Sequence, residues 1–318
     1  MNGRSDETAA RPRVLFIGGI GRSGTTVLER SLGTDPRVVS LGEVTHLWQR
    51  SLLDGELCGC GLAFRECEFW RRVGDQGFGG WDRVDAARLV DLKDRLDRSR
   101  HTPRYATGAG AAKWRDDLQE YADHYRRVYS AALEVSGAQV AIDSSKQASL
   151  PHILLGQGID LSVLHCVRDS RAVAYSWMQK VTRPEGRAGE ERQYMKQYSP
   201  ATIAGKWNLH NAVVDALALR GHRPLRLRYE DWVDDPVGSV ARVLAFAGLA
   251  VEGDSGRIGA TWVDLAPAHT CSGNPMRFTV GRVDIRRDQR WEQGLSRRDR
   301  TLVTALTWPF LLRYGYRP

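Results

Sequence analysis

The chain has 318 residues, of which 42% are hydrophobic and 26% are charged, and its formal net charge is +8 at pH 7. This composition is typical of a globular protein with a full core, and the basic residues alternate with acidic ones, which argues against a nucleic-acid-binding arm. No run approaches the ~18 apolar residues of a membrane-spanning helix, so we expect a cytoplasmic protein without stable membrane insertion.

The N-terminal part predicts a strand, a loop, a helix and a second strand. Residues 1–12 are polar and expected to be disordered, and one domain is expected over residues 13–318. The apolar "RVLFIGG" predicts the first strand, "GGIGRSGTT" the loop, and a helix is expected from about Thr25 to Leu32. "DPRVVSLGE" then predicts a turn and a short strand.

The next ninety residues are mostly helical in pattern. "VDAARLVDLKDRLDRSR" carries apolar residues at helical spacing, "RHTPRYATGAGAA" breaks the pattern, and "KWRDDLQEYADHYRRVYSAALEVSG" resumes it up to a glycine. We therefore expect a helical insert at about residues 50–135.

Strands and helices alternate again in the second half of the chain. "QVAIDSSKQ" predicts a buried strand, "LSVLHCVRDSRAVAYSWMQ" a strand, loop and helix, "ATIAGKWNLHNAVVDALALRG" an amphipathic helix, and "PLRLRYEDW" a further strand. Residues 183–200, "RPEGRAGEERQYMKQYSP", suggest a mobile loop, and an irregular basic tail precedes the last helix. The fold class is α/β, a central parallel sheet flanked by helices in three layers, with ligands at the carboxyl ends of the strands.

The glycine-rich loop fits more than one kind of phosphate site. Gly19, Gly21 and Gly24 match the dinucleotide-binding fingerprint G-x-G-x-x-G, and Glu43 falls near the position of its ribose-binding acid. The same glycines have the spacing of a nucleoside triphosphate loop, but Thr25 stands where the lysine of that motif should be. The missing lysine argues against a kinase or NTPase.

A third interpretation uses the polar residues of the loop. Arg22 offers a planar cation, Ser23, Thr25 and Thr26 offer hydroxyl donors, and the N–H groups of a helix start bind an anion. "GRSGTT", from Gly21 onward, resembles the 5′-phosphosulfate loop of sulfotransferases that use 3′-phosphoadenosine 5′-phosphosulfate (PAPS). It is most similar to the branch containing protein-tyrosine and carbohydrate sulfotransferases, in which an arginine occupies this place. The resemblance implies a P-loop-like α/β fold and binding of the phosphosulfate by Gly21 to Thr26.

A second motif agrees with this resemblance. Arg168 ends the strand in "VLHCVRDSRAVAYS", and Ser176 follows eight residues later on the next helix. This matches the strand-Arg-x7-Ser pattern of the family, in which both residues hold the 3′-phosphate, and Arg171 is a possible third contact. The alternative for Arg168 is a strand-end arginine paired with a carboxylate such as Asp169.

The remaining motifs are implied by resemblance alone. "GE" at Gly42 and Glu43 is similar to the step that carries the base in the tyrosine-sulfating branch, and Lys146 in "DSSK" has a comparable place to a lysine there. Glu43 is the first candidate for general base, with a pKa that burial would raise toward the working pH, and His46 is the second. The resemblance further suggests cofactor contacts from residues in "RYEDW" and in the C-terminal "SGNPMRF": Tyr229, Asn274 and Arg277. It implies in-line sulfuryl transfer from PAPS to a hydroxyl-bearing acceptor, with Arg22 at the reacting group.

Two other functions stay open at this stage. One is an NAD(P)-binding oxidoreductase that uses the G-x-G-x-x-G loop, and the other is a binding module whose loop merely holds an anion. The sequence identifies neither the acceptor nor the oligomeric state, although aromatic residues of the insert and the mobile loop are candidates for an acceptor pocket: Trp48, Trp114, Tyr121 and Tyr194.

Three cysteines lie close together in "ELCGCGLAFRECEFW". Cys58, Cys60 and Cys67 would bind zinc if a fourth ligand such as His46 joined them, or form one disulfide under oxidising conditions. Because C-x-C is not the C-x2-C knuckle of zinc sites, we predict instead that they are packing residues and that the protein holds no metal.

Overall fold

The computed structural model describes residues 11–180, 194, 196–250 and 256–318. Residues 1–10 of the predicted disordered N-terminus and most of the predicted mobile loop at residues 183–200 lie outside this part of the chain.

The central feature is a parallel sheet. Among the described residues it has five strands in the order β2-β3-β1-β4-β5, and all neighbouring pairs are parallel. The strands are β1 (Arg13–Gly18), β2 (Val38–Ser40), β3 (Val140–Lys146), β4 (Asp160–Val167) and β5 (Leu225–Arg228). Each strand that the sequence predicted for this sheet is therefore present, and the α/β fold class is confirmed.

The side chains of β1, the middle strand of the sheet, show why the sheet lies between two helical layers. Side chains alternate between the two faces of a strand. In β1, Val14 and Phe16 join the apolar cluster of the helices that follow β2, whereas Leu15 and Ile17 join a cluster on the other face. All four are essentially inaccessible to solvent. The sheet is thus covered on both faces, as expected for parallel strands with continuous apolar runs.

Helices cover the sheet on both sides. The residues between β2 and β3 form a one-turn 3-10 helix (Val44–His46), a π-helical turn (Leu47–Leu53), α2 (Glu68–Phe78), α3 (Ala86–Leu96), α4 (Thr102–Thr107) and α5 (Ala112–Ser136). The other helices are α1 (Thr25–Leu32), α6 (Leu150–Leu154), α7 (Ser170–Met178), α8 (Pro200–Asp215), α9 (Tyr229–Asp234), α10 (Pro236–Phe246), α11 (Arg290–Gly294) and α12 (Arg297–Arg313). Within the described ranges, no helix combines the length and apolar character needed to cross a membrane.

Two local features were not expected. "RHTPRYATGAGAA" breaks the helical pattern as predicted, since α3 ends at Leu96 and α5 begins at Ala112, but it also contains the short α4, which has a proline near its start and ends at Gly108 with φ 66°. The tail was expected to be irregular before its last helix, yet it contains α11 and strand β8 (Gly281–Asp284). That strand pairs antiparallel with β7 (Trp262–Leu265), which in turn pairs with β6 (Ile258–Gly259). Pairing between distant segments leaves little local signal in the sequence.

Candidate active site

The glycine-rich loop connects β1 to the start of α1. Gly24 is the N-cap of α1 in the left-handed conformation, with φ 74°, and the N–H of Leu28 makes the first helical hydrogen bond to its carbonyl oxygen. The N–H groups that precede Leu28 in the first turn have no partner within the helix, so they are available to an anion. A Cβ atom at position 24 would lie 2.6 Å from Cδ2 of Tyr229, so only glycine fits between the loop backbone and this ring.

The loop is held by hydrogen bonds to its carbonyl oxygens. Arg168 Nη1 donates to the carbonyl oxygen of Arg22 at 3.0 Å, and Trp177 Nε1 donates to that of Gly21 at 3.0 Å. The Arg22 guanidinium lies 5.4 Å from the centre of the Trp177 ring, and burial lowers the pKa of Arg22. These two bonds fix the loop against Arg168 and Trp177, which line the same cleft.

Arg168 and Ser176 line the same cleft as the glycine-rich loop. Arg168 follows β4, is 5% exposed, and lies with its guanidinium 4.2 Å from the centre of the Tyr229 ring. Its Nη2 donates to the carbonyl oxygen of Asp288 at 3.0 Å and lies 3.3 Å from Oδ2 of the same residue. The hydrogen bond from Arg290, together with the charge of Arg168, lowers the pKa of Asp288 to about 2. Arg168 thus has a carboxylate partner, but Asp288 rather than Asp169.

A carboxylate and an ammonium group meet at the ends of β2 and β3. Lys146 Nζ donates to Glu43 Oε1 at 2.6 Å and to the carbonyl oxygen of Ser144 at 3.0 Å. Burial is the largest influence and acts to raise the pKa of Glu43, but the charge and hydrogen bond of Lys146 together with the other nearby cationic groups, Arg50 among them, hold that pKa below its usual value. The expectation of a raised pKa was therefore wrong, because no local pattern indicates that these two side chains, 103 residues apart, form a pair.

His46 lies beside this pair, with Nε2 3.5 Å from Glu43 Oε2. Burial and the nearby charge of Arg50 lower the pKa of His46 to about 3. The imidazole is therefore neutral at physiological pH. Its side chain lines the cleft and is not among the groups near the cysteines.

Backbone strain concentrates around the cleft. Arg22, Lys146 and Ser272 are the non-glycine residues with positive φ in the described ranges, at 76°, 60° and 48°. Arg22 and Lys146 line the cleft, and Ser272 precedes Gly273, which also lines it. Left-handed conformations of non-glycine residues cost of order 1 kcal/mol or more each and are frequent at functional sites. Their clustering here supports a functional role for this cleft.

The sequence analysis missed Glu29, a buried residue of α1. Its carboxylate accepts hydrogen bonds from the backbone N–H of Gly42 at 2.9 Å and from the Ser144 hydroxyl at 2.6 Å. Burial raises the pKa of Glu29 to about 7. Glu29 thus joins α1 to the ends of β2 and β3, next to Glu43 and Lys146. The only sequence signal was an acid beside an apolar residue, Leu28, on a short helix.

The C-terminal segment forms one wall of the cleft. Gly42 pairs with Cys271 in an isolated bridge, and the Glu43 N–H donates to the Cys271 carbonyl oxygen at 3.0 Å. Asn274 lines the cleft, but Arg277 does not. The Arg277 side chain is 2% exposed and donates to the carbonyl oxygen of Thr270 at 3.0 Å. Arg30, also missed from the sequence, donates from α1 to four carbonyl groups of this segment: those of Ala266, Met276, Arg277 and Thr279.

Several predicted residues lie behind the cleft surface. Ser23 is 2% exposed, and Tyr229 lies beneath the loop, where its hydroxyl accepts from the Asp288 N–H at 3.1 Å. Of the predicted acceptor-pocket aromatics, Trp48 and Tyr121 are fully buried in the core. Trp114 lines a separate cavity, and Tyr194 is exposed. The aromatic side chains that line the cleft are instead Trp177 and Tyr198, whose ring centroids lie 5.1 Å apart.

The cleft has a volume of about 870 Å³. It brings together most of the residues singled out from the sequence: Gly21, Arg22, Gly24, Thr25, Thr26, Glu43, His46, Lys146, Arg168, Ser176 and Asn274. Its other charged side chains include Arg50, Lys196, Lys206, Asp288 and Arg290. The excess of cations over carboxylates makes it suitable for an anionic ligand.

Comparison with known proteins gave one family and several similar structures. The sequence matches the family model described as "Sulfotransferase domain" over residues 12–266. The sulfotransferase domain from the Synechococcus PCC 7002 olefin synthase is 17% identical, with a TM-score of 0.43 and 100% of both chains covered. Sulfotransferase STF9 from Mycobacterium avium is 13% identical, with a TM-score of 0.46, 97% of this chain covered and 78% of that chain. A search of curated proteins gave no match. The family match includes the loop, Glu43, Lys146 and Arg168, whereas Asn274 and Arg277 lie beyond it.

Proposed function

The chain belongs to the sulfotransferase domain family, and from this premise we propose that it transfers a sulfuryl group from PAPS to a hydroxyl group. The acceptor would be a small molecule, a carbohydrate or a lipid. The observation that carries the proposal is the meeting of the glycine-rich loop, the Arg168 turn and the Glu43–Lys146 pair in one cleft. PAPS has an anionic group at each end of its ribose, and the cleft offers separate groups of donors for the two.

The loop and the start of α1 fit the 5′-phosphosulfate. The unpaired N–H groups of the first turn and the hydroxyls of Thr25 and Thr26 are neutral donors, and Arg22 adds a cation. PAPS supplies a sulfuryl group on a phosphate leaving group, and adenosine 3′,5′-bisphosphate departs. The residues of the loop would position the donor and stabilise the charge that develops on the leaving oxygen.

Arg168 and Ser176 fit the 3′-phosphate. In the structure Arg168 is partnered by Asp288, a carboxylate that stays ionised at neutral pH. A bound phosphate would compete with Asp288 for the guanidinium, since both are anions. We therefore propose that Asp288 moves away with its exposed partner Arg290 when the cofactor binds.

Glu43 is the proposed general base. Its Oε1 accepts from Lys146, so Oε2, which lies 3.5 Å from His46 Nε2, is the atom that would take the proton of the acceptor hydroxyl. The lowered pKa keeps Glu43 ionised at neutral pH, and Lys146 offers its charge to the sulfuryl or bridging oxygen. With its pKa lowered to about 3, His46 is a much weaker base than an ordinary histidine, so it is better suited to orienting Glu43.

The sheet order argues against the dinucleotide-binding alternative. In that fold the ribose-binding acid ends the strand adjacent to the first strand. Here β2, which precedes Glu43, is separated from β1 by β3. The strand that ends near Glu43 is therefore not the neighbour of β1, as a dinucleotide-binding fingerprint requires.

Calorimetric titration of the purified protein tests the proposal. We expect adenosine 3′,5′-bisphosphate to bind, and NAD and ATP to bind much more weakly or not at all. Adenosine 5′-monophosphate, which lacks the 3′-phosphate, should bind more weakly than the bisphosphate. Preferential binding of NAD, or equal binding of the mono- and bisphosphate, would contradict the proposal. A positive result would be followed by a screen of hydroxyl acceptors with PAPS.

A further inference from the structure

A second cluster of reactive side chains lies outside the cleft. The sulfur atoms of Cys58, Cys60 and Cys67 and a ring nitrogen of His269 all lie within 4.8 Å of one another. Cys67 Sγ is 3.2 Å and Cys58 Sγ is 4.0 Å from His269 Nδ1. None of the four lines the cleft, and the proposed sulfuryl transfer uses none of them.

The local backbone brings the three thiols together. Cys58 and Cys60 lie on a tight turn, closed by hydrogen bonds from Cys58 N–H to Leu62 O and from Gly61 N–H to Cys58 O, both 2.8 Å. Cys67 is the N-cap of α2. A thiolate at a helix N-terminus is stabilised by the helix dipole.

His269 is held in place from a distant part of the chain. Its carbonyl oxygen accepts from Trp70 Nε1 at 2.7 Å, and its ring stacks on Phe69, with centroids 5.1 Å apart and planes at 18°. The imidazole therefore presents Nδ1 to the sulfurs, whereas the residue as a whole is exposed to solvent.

We propose that Cys58, Cys60, Cys67 and His269 bind one zinc ion. Zn–S bonds of about 2.3 Å and Zn–N bonds of about 2.0–2.1 Å in a tetrahedron place the ligand atoms of this set about 3.5–3.8 Å apart. The observed distances of 3.2 and 4.0 Å need only small shifts to reach this geometry. Binding forms three Zn–S bonds and one Zn–N bond and releases three thiol protons to solvent, which leaves a complex of net charge −1. Mg²⁺ and Ca²⁺ prefer oxygen ligands and do not suit this set.

The zinc would be structural, because four protein ligands leave no open position. It would join the turn that carries Cys58 to the segment that carries His269. The Gly59 N–H donates to the Thr270 carbonyl oxygen of this segment at 2.9 Å, and Cys271 of the same segment pairs with Gly42, next to Glu43. The ion would thereby fix the C-terminal wall of the cleft.

The first test is the metal content of the protein purified without chelators, measured by inductively coupled plasma mass spectrometry. We expect about one zinc per chain. His269→Ala and Cys67→Ser should each lose most of it, whereas Cys166→Ser, which removes a buried thiol outside the cluster, should keep it. Less than a tenth of an equivalent in the wild type after incubation with zinc, or equal loss in Cys166→Ser, would overturn the proposal.

A second test needs no variant, in case Cys67→Ser fails to fold. After exchange into Co²⁺, the wild-type protein should show the sulfur-to-cobalt charge-transfer band and the intense visible bands of a tetrahedral thiolate site. A chelator should abolish these bands and lower the melting temperature. Absence of the bands, or a disulfide among the three cysteines in protein prepared under reducing conditions, would show that the cluster is not a zinc site. Neither readout depends on sulfuryl transfer.

Discussion

At the scale of single residues, the site is a set of paired charges rather than of free ones. Arg168 has Asp288 and Glu43 has Lys146 in the structure described here. In the proposed function the Arg168–Asp288 pair opens when an anion binds, whereas the Glu43–Lys146 pair stays and leaves Glu43 Oε2 to the acceptor hydroxyl. The Arg168–Asp288 pair leads to a prediction about cofactor binding, and the Glu43–Lys146 pair leads to one about catalysis.

Arg168→Ala should weaken the binding of adenosine 3′,5′-bisphosphate by roughly 10- to 100-fold, the value of one or two charged hydrogen bonds. Calorimetry measures the change. Arg282→Ala is the matched control, because it removes the same charge from an exposed position on β8. Equal affinity in Arg168→Ala and the wild type would remove the 3′-phosphate assignment.

Glu43→Gln should keep an affinity for the bisphosphate within a few-fold of the wild-type value. It should lower kcat by roughly 10²- to 10⁴-fold, as expected for loss of a general base. Steady-state kinetics with PAPS and an acceptor from the screen gives kcat, and calorimetry gives the affinity. Full activity of this variant would transfer the base role to another group or to the acceptor itself.

At the scale of elements, the strand-to-helix turn after β1 depends on the helix that follows β5. Gly24 has φ 74° and packs against the Tyr229 ring at the start of α9. Two constraints thus act on one residue, a left-handed backbone and a close neighbour. Gly137, which ends α5 at φ 70°, has the first constraint without the second.

Gly24→Ala should therefore destabilise the protein more than Gly137→Ala and should also weaken bisphosphate binding. Alanine at positive φ costs about 1 kcal/mol at both positions, and the contact with Tyr229 adds to it only at position 24. Chemical denaturation and calorimetry measure the two effects. Equal destabilisation by the two substitutions would mean that the loop can move away from Tyr229.

At the scale of the whole molecule, buried carboxyl groups make stability depend on pH. Burial raises the pKa of Glu29 to about 7 and that of Asp97 and Asp143 to about 6. A carboxyl group whose pKa is raised on folding gives its full stability below the unfolded pKa. That contribution is lost as the pH rises through the folded value. For Glu29 this window runs from about pH 4.5 to about pH 7.

The free energy of unfolding of Glu29→Gln, taken relative to that of the wild type, should thus be higher at pH 8 than at pH 5 by about 1–3 kcal/mol. The reason is that glutamine mimics the protonated acid at every pH. Urea denaturation at the two pH values measures the difference. Asp116→Asn, at an exposed position on α5, is the control, and its stability should differ from that of the wild type by the same small amount at both pH values. A Glu29→Gln variant that follows the wild type at both pH values would show that Glu29 titrates normally.

The sequence by itself determined the parts that depend on neighbouring residues. Apolar runs predicted the five parallel strands, because strands buried on both faces need continuous apolar residues. The glycine spacing with Arg22, and Arg168 at a strand end, indicated the proposed anion site. These residues line one cleft because the carboxyl ends of parallel strands meet at one edge of a sheet.

Only the tertiary structure decided which distant side chains meet. It paired Glu43 with Lys146 and so reversed the expected direction of the pKa shift. It also placed His269, rather than His46, beside the cysteines. Such contacts join segments a hundred or more residues apart, and their geometry depends on the packing of the whole chain. Local patterns carry no information about them, which is why the electrostatics of the site and the cysteine–histidine cluster became visible only in the fold.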